Sequence, residues 1–126
     1  MKKLKMIAFA LAVFGAVVFF GNVETIRAQN GSMDWSGTVD DVAQVRIRNR
    51  NAVTNSISGR AYYDSTFDFD GRAPRRNANV RVDKRDGRGR VFVIQQPNRR
   101  NNFTTIVQIV DSKGGADRYR FTLYWD

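Results

Sequence analysis

Arginine is the residue type in this sequence with the most evident chemistry. Three short stretches concentrate it: Arg72, Arg75 and Arg76; Arg85, Arg88 and Arg90; and Arg99 with Arg100. A guanidinium group binds phosphate, sulfate and carboxylate through paired hydrogen bonds. We therefore expect the first two stretches to bind an acidic polymer, joined by the third if the fold brings it near. The alternatives are a solvated surface that reflects codon usage, and nucleic acid, which is disfavoured because most aromatic residues alternate toward a predicted core.

Aromatic rings offer a second kind of binding chemistry, as platforms for neutral sugars. The candidates for such a glycan site are Trp35, Tyr63 and Tyr124. Tyr62 and Tyr63 are adjacent, so in a strand one of the two must point outward. Burial in a core is nevertheless the favoured interpretation of Trp35, and more clearly so of Trp125.

Few side chains here can catalyse a reaction. The sequence has no Cys and no His, which excludes thiol catalysis, histidine triads and metal sites built on those residues. A hydrolase would have to use a pair of aspartates, and no pair stands out. Thr66, Asp68 and Asp70 before Gly71 match part of a calcium loop, but Thr66 is a poor first ligand and Asn77 stands where that loop needs Glu. We expect no enzyme activity, no metal and no cofactor.

The candidate residues lie after an N-terminal segment whose composition differs from that of the rest of the chain. Lys2, Lys3 and Lys5 precede fifteen uncharged residues, 6–20, and a polar stretch ends at Ala28. This order predicts a secretory signal peptide over 1–28, with a retained anchor helix as the alternative. The chain from Gln29 keeps seventeen basic and eleven acidic residues, a net charge of +6, and all its acids are Asp.

Alternation of apolar and polar residues dominates the rest of the chain. Tyr119, Phe121, Leu123 and Trp125 fall on one side of a predicted strand, and Ala43, Val45 and Ile47 do the same in another. The pattern predicts eight strands at about 35–39, 43–49, 52–58, 60–67, 79–84, 90–95, 103–110 and 118–125. We therefore predict an all-β fold, a single antiparallel β-sandwich of jelly-roll or immunoglobulin-like type, with a small β-barrel as the alternative.

Turn signals divide these strands. Asp86-Gly87 predicts a hairpin between 79–84 and 90–95. Residues 114–123 (GGADRYRFTL) resemble the closing strand of pre-peptidase C-terminal-type jelly rolls of secreted bacterial proteins, which implies a sandwich and no functional residue. The predicted organisation is a signal peptide over 1–28, a linker over 29–34 and a sandwich over 35–126.

These features together predict an exported bacterial protein, periplasmic or extracellular, without a spanning helix in its mature form. We expect a non-enzymatic binding or structural role. Its partner would be an acidic envelope polymer or another exported protein.

Overall fold

A computed structural model describes residues 31–59, 63–112 and 114–126, which form two four-stranded antiparallel sheets. Sheet I contains β1 (Ser32–Val39), β4 (Tyr63–Asp70), β5 (Val80–Asp86) and β8 (Asp117–Trp125), in the order β4-β1-β8-β5. Sheet II contains β2 (Val42–Arg48), β3 (Asn51–Ser58), β6 (Arg90–Gln95) and β7 (Thr105–Val110), in the order β3-β2-β7-β6. The predicted sandwich is confirmed, and the described strands form two open sheets instead of a closed barrel.

The chain is organised as two long hairpins, each bent across both sheets. In the first half β2 pairs with β3 and β1 with β4, and in the second half β7 pairs with β6 and β8 with β5. The halves meet where β1 pairs with β8 and β2 with β7. The bends between the sheets gather at one end, here called the corner end. The β2–β3 turn, the connection 71–79 and the β6–β7 loop lie at the opposite end, here called the hairpin end.

The core lies between the inner faces of the two sheets. Trp35, Tyr119, Phe121, Leu123 and Trp125 are all buried there, with 1% or less of each exposed. Trp35 stacks on Phe121 with 5.3 Å between ring centroids. Burial of a large aromatic side chain stabilises a fold by several kcal/mol at about 25 cal/mol per Å². The side-chain alternation predicted for β2 and β8 is therefore confirmed.

Both indole N–H groups form hydrogen bonds within that core. Trp35 Nε1 donates to Thr54 Oγ1 at 3.1 Å, and Trp125 Nε1 donates to Thr105 Oγ1 at 3.2 Å. Each bond joins a tryptophan of sheet I to a threonine of sheet II. The two bonds pair the one polar atom of each indole ring and hold the two sheets in their relative position.

The hairpin predicted at Asp86-Gly87 is wrong. The strands on either side of it belong to different sheets, because β5 is an edge of sheet I and β6 an edge of sheet II. The ring of Tyr119 lies against Gly87 and leaves no room there for a Cβ atom, and Gly87 has a φ of 121°. Glycine thus lets the chain cross over a buried ring at this corner instead of reversing within one sheet.

The strand boundaries also differ from the expectation at the N-terminal side. β1 begins at Ser32, so Met33 and Asp34 belong to the sandwich and not to a linker over 29–34. Met33 is buried in the core with 1% exposed. β4 runs over Tyr63–Asp70, later than the predicted 60–67. The predicted signal peptide lies outside the described residues.

The strands and the buried core of the described residues lie between Ser32 and Trp125. Within this described part, no helix has the length and apolar character needed to cross a membrane.

Candidate anion-binding surface

Charge is divided between the two sheets. The four strands of sheet II contain no acidic residue, and their charged side chains are Arg46, Arg48 and Arg90. The strands of sheet I contain seven aspartates: Asp34, Asp64, Asp68, Asp70, Asp83, Asp86 and Asp117. The outer face of sheet II therefore carries positive charge with no carboxylate from its own strands.

A groove of about 540 Å³ lies where this face meets the hairpin end. Arg46, Arg48 and Arg50 line it together with Asn49, Asn51, Val53 and Thr104. Arg46 and Arg48 point outward because Val45 and Ile47, which alternate with them, are buried in the core. Arg50 follows Asn49, which takes a left-handed φ of 61° in the two-residue turn. Three guanidinium groups therefore line one groove, which suits an anion with several charged oxygens.

The connection between β4 and β5 brings further arginines to the same end. Ala73 N donates to Asn49 O at 2.8 Å, and Arg50 Nε donates to Gly71 O at 3.5 Å. These bonds hold the connection against the β2–β3 turn. Beyond Ala73, the exposed side chains of Arg75 and Arg76 join Arg72 and Pro74 around a depression of about 300 Å³. Arg76 also donates to the backbone oxygen of Asp126 at 3.3 Å.

The β6–β7 loop adds the last two arginines. Arg99 and Arg100 lie in a single 3-10 turn, which Asn98 caps by accepting a hydrogen bond from the N–H of Asn101 at 3.2 Å. The loop joins β6 to β7 at the hairpin end, the same end of the sandwich as the connection that carries Arg72, Arg75 and Arg76. Seven arginines lie at this end: Arg48, Arg50, Arg72, Arg75, Arg76, Arg99 and Arg100.

The second predicted stretch lies elsewhere and does not converge with the first. The 85–90 stretch lies toward the corner end, where β5 leaves sheet I and β6 enters sheet II. Arg85 donates to Thr122 Oγ1 at 3.2 Å and to Tyr124 OH at 3.0 Å. The guanidinium of Arg90 lies over the ring of Phe92, 5.3 Å from its centroid. The two predicted arginine stretches therefore do not form one surface, because the sandwich places them at opposite ends.

Arg88 is held by hydrogen bonds at the corner end. Its Nη2 donates to Asp111 Oδ2 at 3.3 Å and to the backbone oxygen of Gly115, and its backbone N–H donates to Asp117 Oδ2 at 2.9 Å. The Asp111 side chain is fully buried, and it also accepts a 2.6 Å hydrogen bond from Tyr119 OH. Tyr119 OH in turn accepts from Gly89 N at 2.8 Å. Arg88 thus compensates a buried carboxylate and is not available as a free cation for a ligand.

The corner contacts shift the proton affinities of three groups. Burial and the hydrogen bond to Asp111 raise the pKa of Tyr119 well above its ordinary value. The hydrogen bond to Asp111 raises the pKa of Arg88, and the backbone N–H groups of Arg88 and Arg118 lower the pKa of Asp117. Each shift favours the protonation state that completes the hydrogen bonds of the corner.

Trp35 and Tyr124 are the two candidates for a glycan site whose side chains the structure describes, and they do not lie together as exposed rings. Trp35 is 1% exposed and stacked in the core, so its assignment to a sugar platform is wrong. Tyr124 is half-buried on the outer face of sheet I, where the guanidinium of Arg81 covers its ring at 4.6 Å from the centroid. The side chain of Tyr63 lies outside the described residues.

The outer face of sheet I contains a pair of facing carboxylates. Asp34 of β1 is directly opposite Asp68 of β4, in a groove of about 630 Å³ that Arg85 and Arg120 also line. Asp34 accepts a 2.6 Å hydrogen bond from Thr122 Oγ1. This is the arrangement of two aspartates in one cleft that the hydrolase alternative requires.

The calcium-loop assignment of Asp68 and Asp70 is contradicted by the backbone. Both residues belong to the regular strand β4, where they alternate with Phe67 and Phe69. A calcium loop must curve around the ion to direct successive ligands toward it. Among the residues that the structure describes, no group of three metal-ligating acids comes together.

Arg46, Arg48 and Arg50 were missed as candidate site residues, although the sequence contains a signal for them. Two long stretches without any acid, 42–63 and 87–110, contain all four strands of sheet II. Acid-free stretches that pair with one another produce an acid-free sheet. Clusters of arginines that are adjacent in the sequence predict the site less well, because they do not show which residues share a sheet.

The comparisons with known proteins leave this surface to be interpreted from its own chemistry. Neither the protein-family models, nor the curated proteins, nor the solved structures contain a match to this chain. The ten-residue resemblance to pre-peptidase C-terminal-type jelly rolls therefore gains no support beyond the sandwich fold.

Proposed function

We propose that this chain is an exported, non-enzymatic protein that binds acidic polymers through the hairpin end and the adjoining groove of Arg46, Arg48 and Arg50. The observation that carries the proposal is the division of charge between the sheets. The strands of sheet II present arginines without acids, whereas three arginines of sheet I and its corner form ion pairs: Arg85 with Asp83, Arg88 with Asp111 and Arg118 with Asp64.

The geometry suits a polymer better than a small ligand. The arginines are distributed over the β2–β3 turn, the connection 71–79 and the 3-10 turn, and the open groove of Arg46, Arg48 and Arg50 adjoins the first of these. A chain of phosphate, sulfate or carboxylate groups can contact several such points at once. A multivalent ligand of this kind gains affinity from each additional ion contact, and that affinity falls as salt rises.

The test is binding of residues 29–126 to a fluorescently labelled sulfated polysaccharide between 50 and 200 mM NaCl. If about four anionic groups are contacted on a polymer as densely charged as duplex DNA, the affinity falls roughly a hundredfold over this range. Binding that does not depend on salt, or no binding at all, contradicts the proposal.

A matched pair of variants separates this site from net charge. R46Q/R48Q removes two charges from the groove, and R81Q/R120Q removes two from exposed positions on sheet I. We expect the first to lower the affinity about tenfold or more and to reduce the salt dependence, with little effect of the second. Equal losses in both variants mean that the protein responds only to total charge.

One observation favours a second candidate function, a hydrolase of glycosidic bonds. Residues directly opposite in antiparallel strands have Cβ atoms about 4.5–5.5 Å apart, and retaining glycosidases hold their two carboxyl groups about 5–5.5 Å apart. Asp34 and Asp68 satisfy the first condition. Release of a chromogenic leaving group from aryl glycosides, abolished in both D34N and D68N, is the result this alternative requires.

A further inference from the structure

The outer face of sheet II differs from that of sheet I in polarity as well as in charge. Of the four large hydrophobic side chains exposed in the described chain, Val53, Ile57 and Ile94 belong to sheet II, with 48%, 53% and 44% exposed. The fourth, Phe67, lies on the edge strand β4 of sheet I. Apolar exposure is therefore concentrated on the sheet that lacks acids.

The central strand β7 shows the same asymmetry. Its sequence TIVQIV places Thr105, Val107 and Ile109 in the core and Ile106, Gln108 and Val110 on the outer side. Ile106 is already covered by its neighbours on that face, with 8% exposed, and Val110 is half-buried. Two of the three outward positions of this central strand are thus apolar, where an antiparallel sheet with one face in water normally carries polar residues.

Basic and apolar side chains are neighbours on this face. One cross-strand row runs from Val53 through Arg46 and Ile106 to Gln95. Val53 also lines the arginine groove. At the other side of the sheet, Arg90 lies over Phe92. A ligand that fills this surface must be anionic and apolar at once.

We propose that the outer face of sheet II, with the adjoining groove, docks on the surface of an anionic lipid bilayer. The arginines would contact the headgroups, and the exposed side chains of Val53, Ile57 and Ile94 would enter the boundary between headgroups and acyl chains. The inference rests on the proposed function, because the same arginines that would bind the charged groups of an acidic polymer would contact the headgroups. Near an anionic membrane, each basic residue contributes about a fivefold gain in partitioning, and each buried apolar group adds to it.

Charge complementarity is the argument for a lipid over a second copy of this chain. A twofold-symmetric pair that met through this face would bring the same residues of both copies together. It would place Arg46, Arg48 and Arg90 of one copy against their counterparts, with no acid in the strands of sheet II to compensate them. An anionic surface offers these side chains the opposite sign.

The test is co-sedimentation of residues 29–126 with vesicles of a neutral phosphatidylcholine, with or without 30% anionic phosphatidylglycerol. The decisive variant is I57T/I94T, which removes exposed apolar surface outside the arginine groove while keeping the charge and the β-branched shape that suits a strand. The matched control is F67T, which removes the exposed apolar side chain that lies on sheet I. Circular dichroism and thermal unfolding of both variants establish that each is folded.

We expect binding to the anionic vesicles only, a loss of at least tenfold in I57T/I94T, and little change in F67T. Binding of I57T/I94T to the soluble sulfated polysaccharide should remain within about twofold. If polysaccharide binding persists while vesicle binding is absent or unaffected by I57T/I94T, the lipid inference fails and the proposed function stands. If neither ligand binds, both fail. A concentration-dependent dimer that I57T/I94T abolishes, without vesicle binding, would assign the face to a second copy instead.

Discussion

The hydroxyl of Tyr119 donates a 2.6 Å hydrogen bond to the buried carboxylate of Asp111 across the corner at which β7 leaves sheet II and β8 enters sheet I. Gly89 N donates to the same hydroxyl at 2.8 Å, and Arg88 reaches the other oxygen of Asp111. One phenol thus joins two of the bends between the sheets. The corner end is fixed by these contacts, whereas the hairpin end carries exposed arginines.

Removal of this hydroxyl should weaken the corner. Y119F leaves the Asp111 carboxylate with one partner fewer in a buried site, and a hydrogen bond to a charged group contributes about 2 kcal/mol. We expect the free energy of unfolding in urea to fall by about that amount. Y124F is the matched control, because the hydroxyl of Tyr124 accepts only from an exposed part of Arg85. Equal effects of Y119F and Y124F would contradict the role assigned to Asp111.

Alkaline pH should destabilise the fold through the same tyrosine. Its pKa is raised by burial and by the bond to Asp111, whereas an unfolded tyrosine titrates near pH 10. Above about pH 10 the unfolded chain loses a proton that the folded chain keeps, so the free energy of unfolding falls as pH rises. Urea unfolding at pH 9, 10 and 11 measures this slope. The slope should be shallower in Y119F, and an unchanged slope would assign it to other groups.

Both tryptophans should be inaccessible to a charged quencher. Trp35 and Trp125 are the two tryptophans of the sequence, and each is 1% exposed in the core. Iodide should therefore quench their fluorescence weakly in the native state and strongly in urea. Added neutral oligosaccharides should leave the emission unchanged. Strong native-state quenching would contradict the packing of Trp35 against Phe121.

The facing carboxylates on sheet I predict a stabilising substitution. Like charges directly opposite in antiparallel strands are unfavourable by about 0.2–1 kcal/mol, so D68N should raise the free energy of unfolding at pH 7 by a similar amount. D64N on the same strand should instead destabilise slightly, because Asp64 accepts from Arg118 at 2.8 Å. A destabilising D68N would show that the Asp68 carboxylate has a favourable role in the groove.

The alternation of apolar and polar residues correctly predicted which side chains share a face in the regular strands. Tyr119, Phe121, Leu123 and Trp125 are buried as the period of two predicts, because a pleated strand leaves alternate side chains on one side. The same period does not say which sheet a strand joins. The strands on either side of Asp86-Gly87 therefore suggested a hairpin, although a buried ring beneath Gly87 directs the chain to the other sheet.

The candidate site depended on long-range contacts that sequence spacing does not reveal. Arg88 donates to the carboxylate of Asp111, which is 23 residues away in the sequence. Trp35 donates to Thr54, which is 19 residues away. Arginines that are neighbours in sequence were thus not equivalent in the fold. The acid-free stretches 42–63 and 87–110 were the more reliable guide, since pairing of β2 with β7 joins them into one surface.

The location of anion binding is tested most directly by amide chemical-shift mapping of residues 29–126 during titration with a short sulfated oligosaccharide. We expect the shifts to concentrate in residues 46–53, 71–76 and 98–104, with those of 85–90 nearly unchanged. Shifts centred on 85–90 and 111–118, or spread evenly over both ends of the sandwich, would contradict binding at the hairpin end.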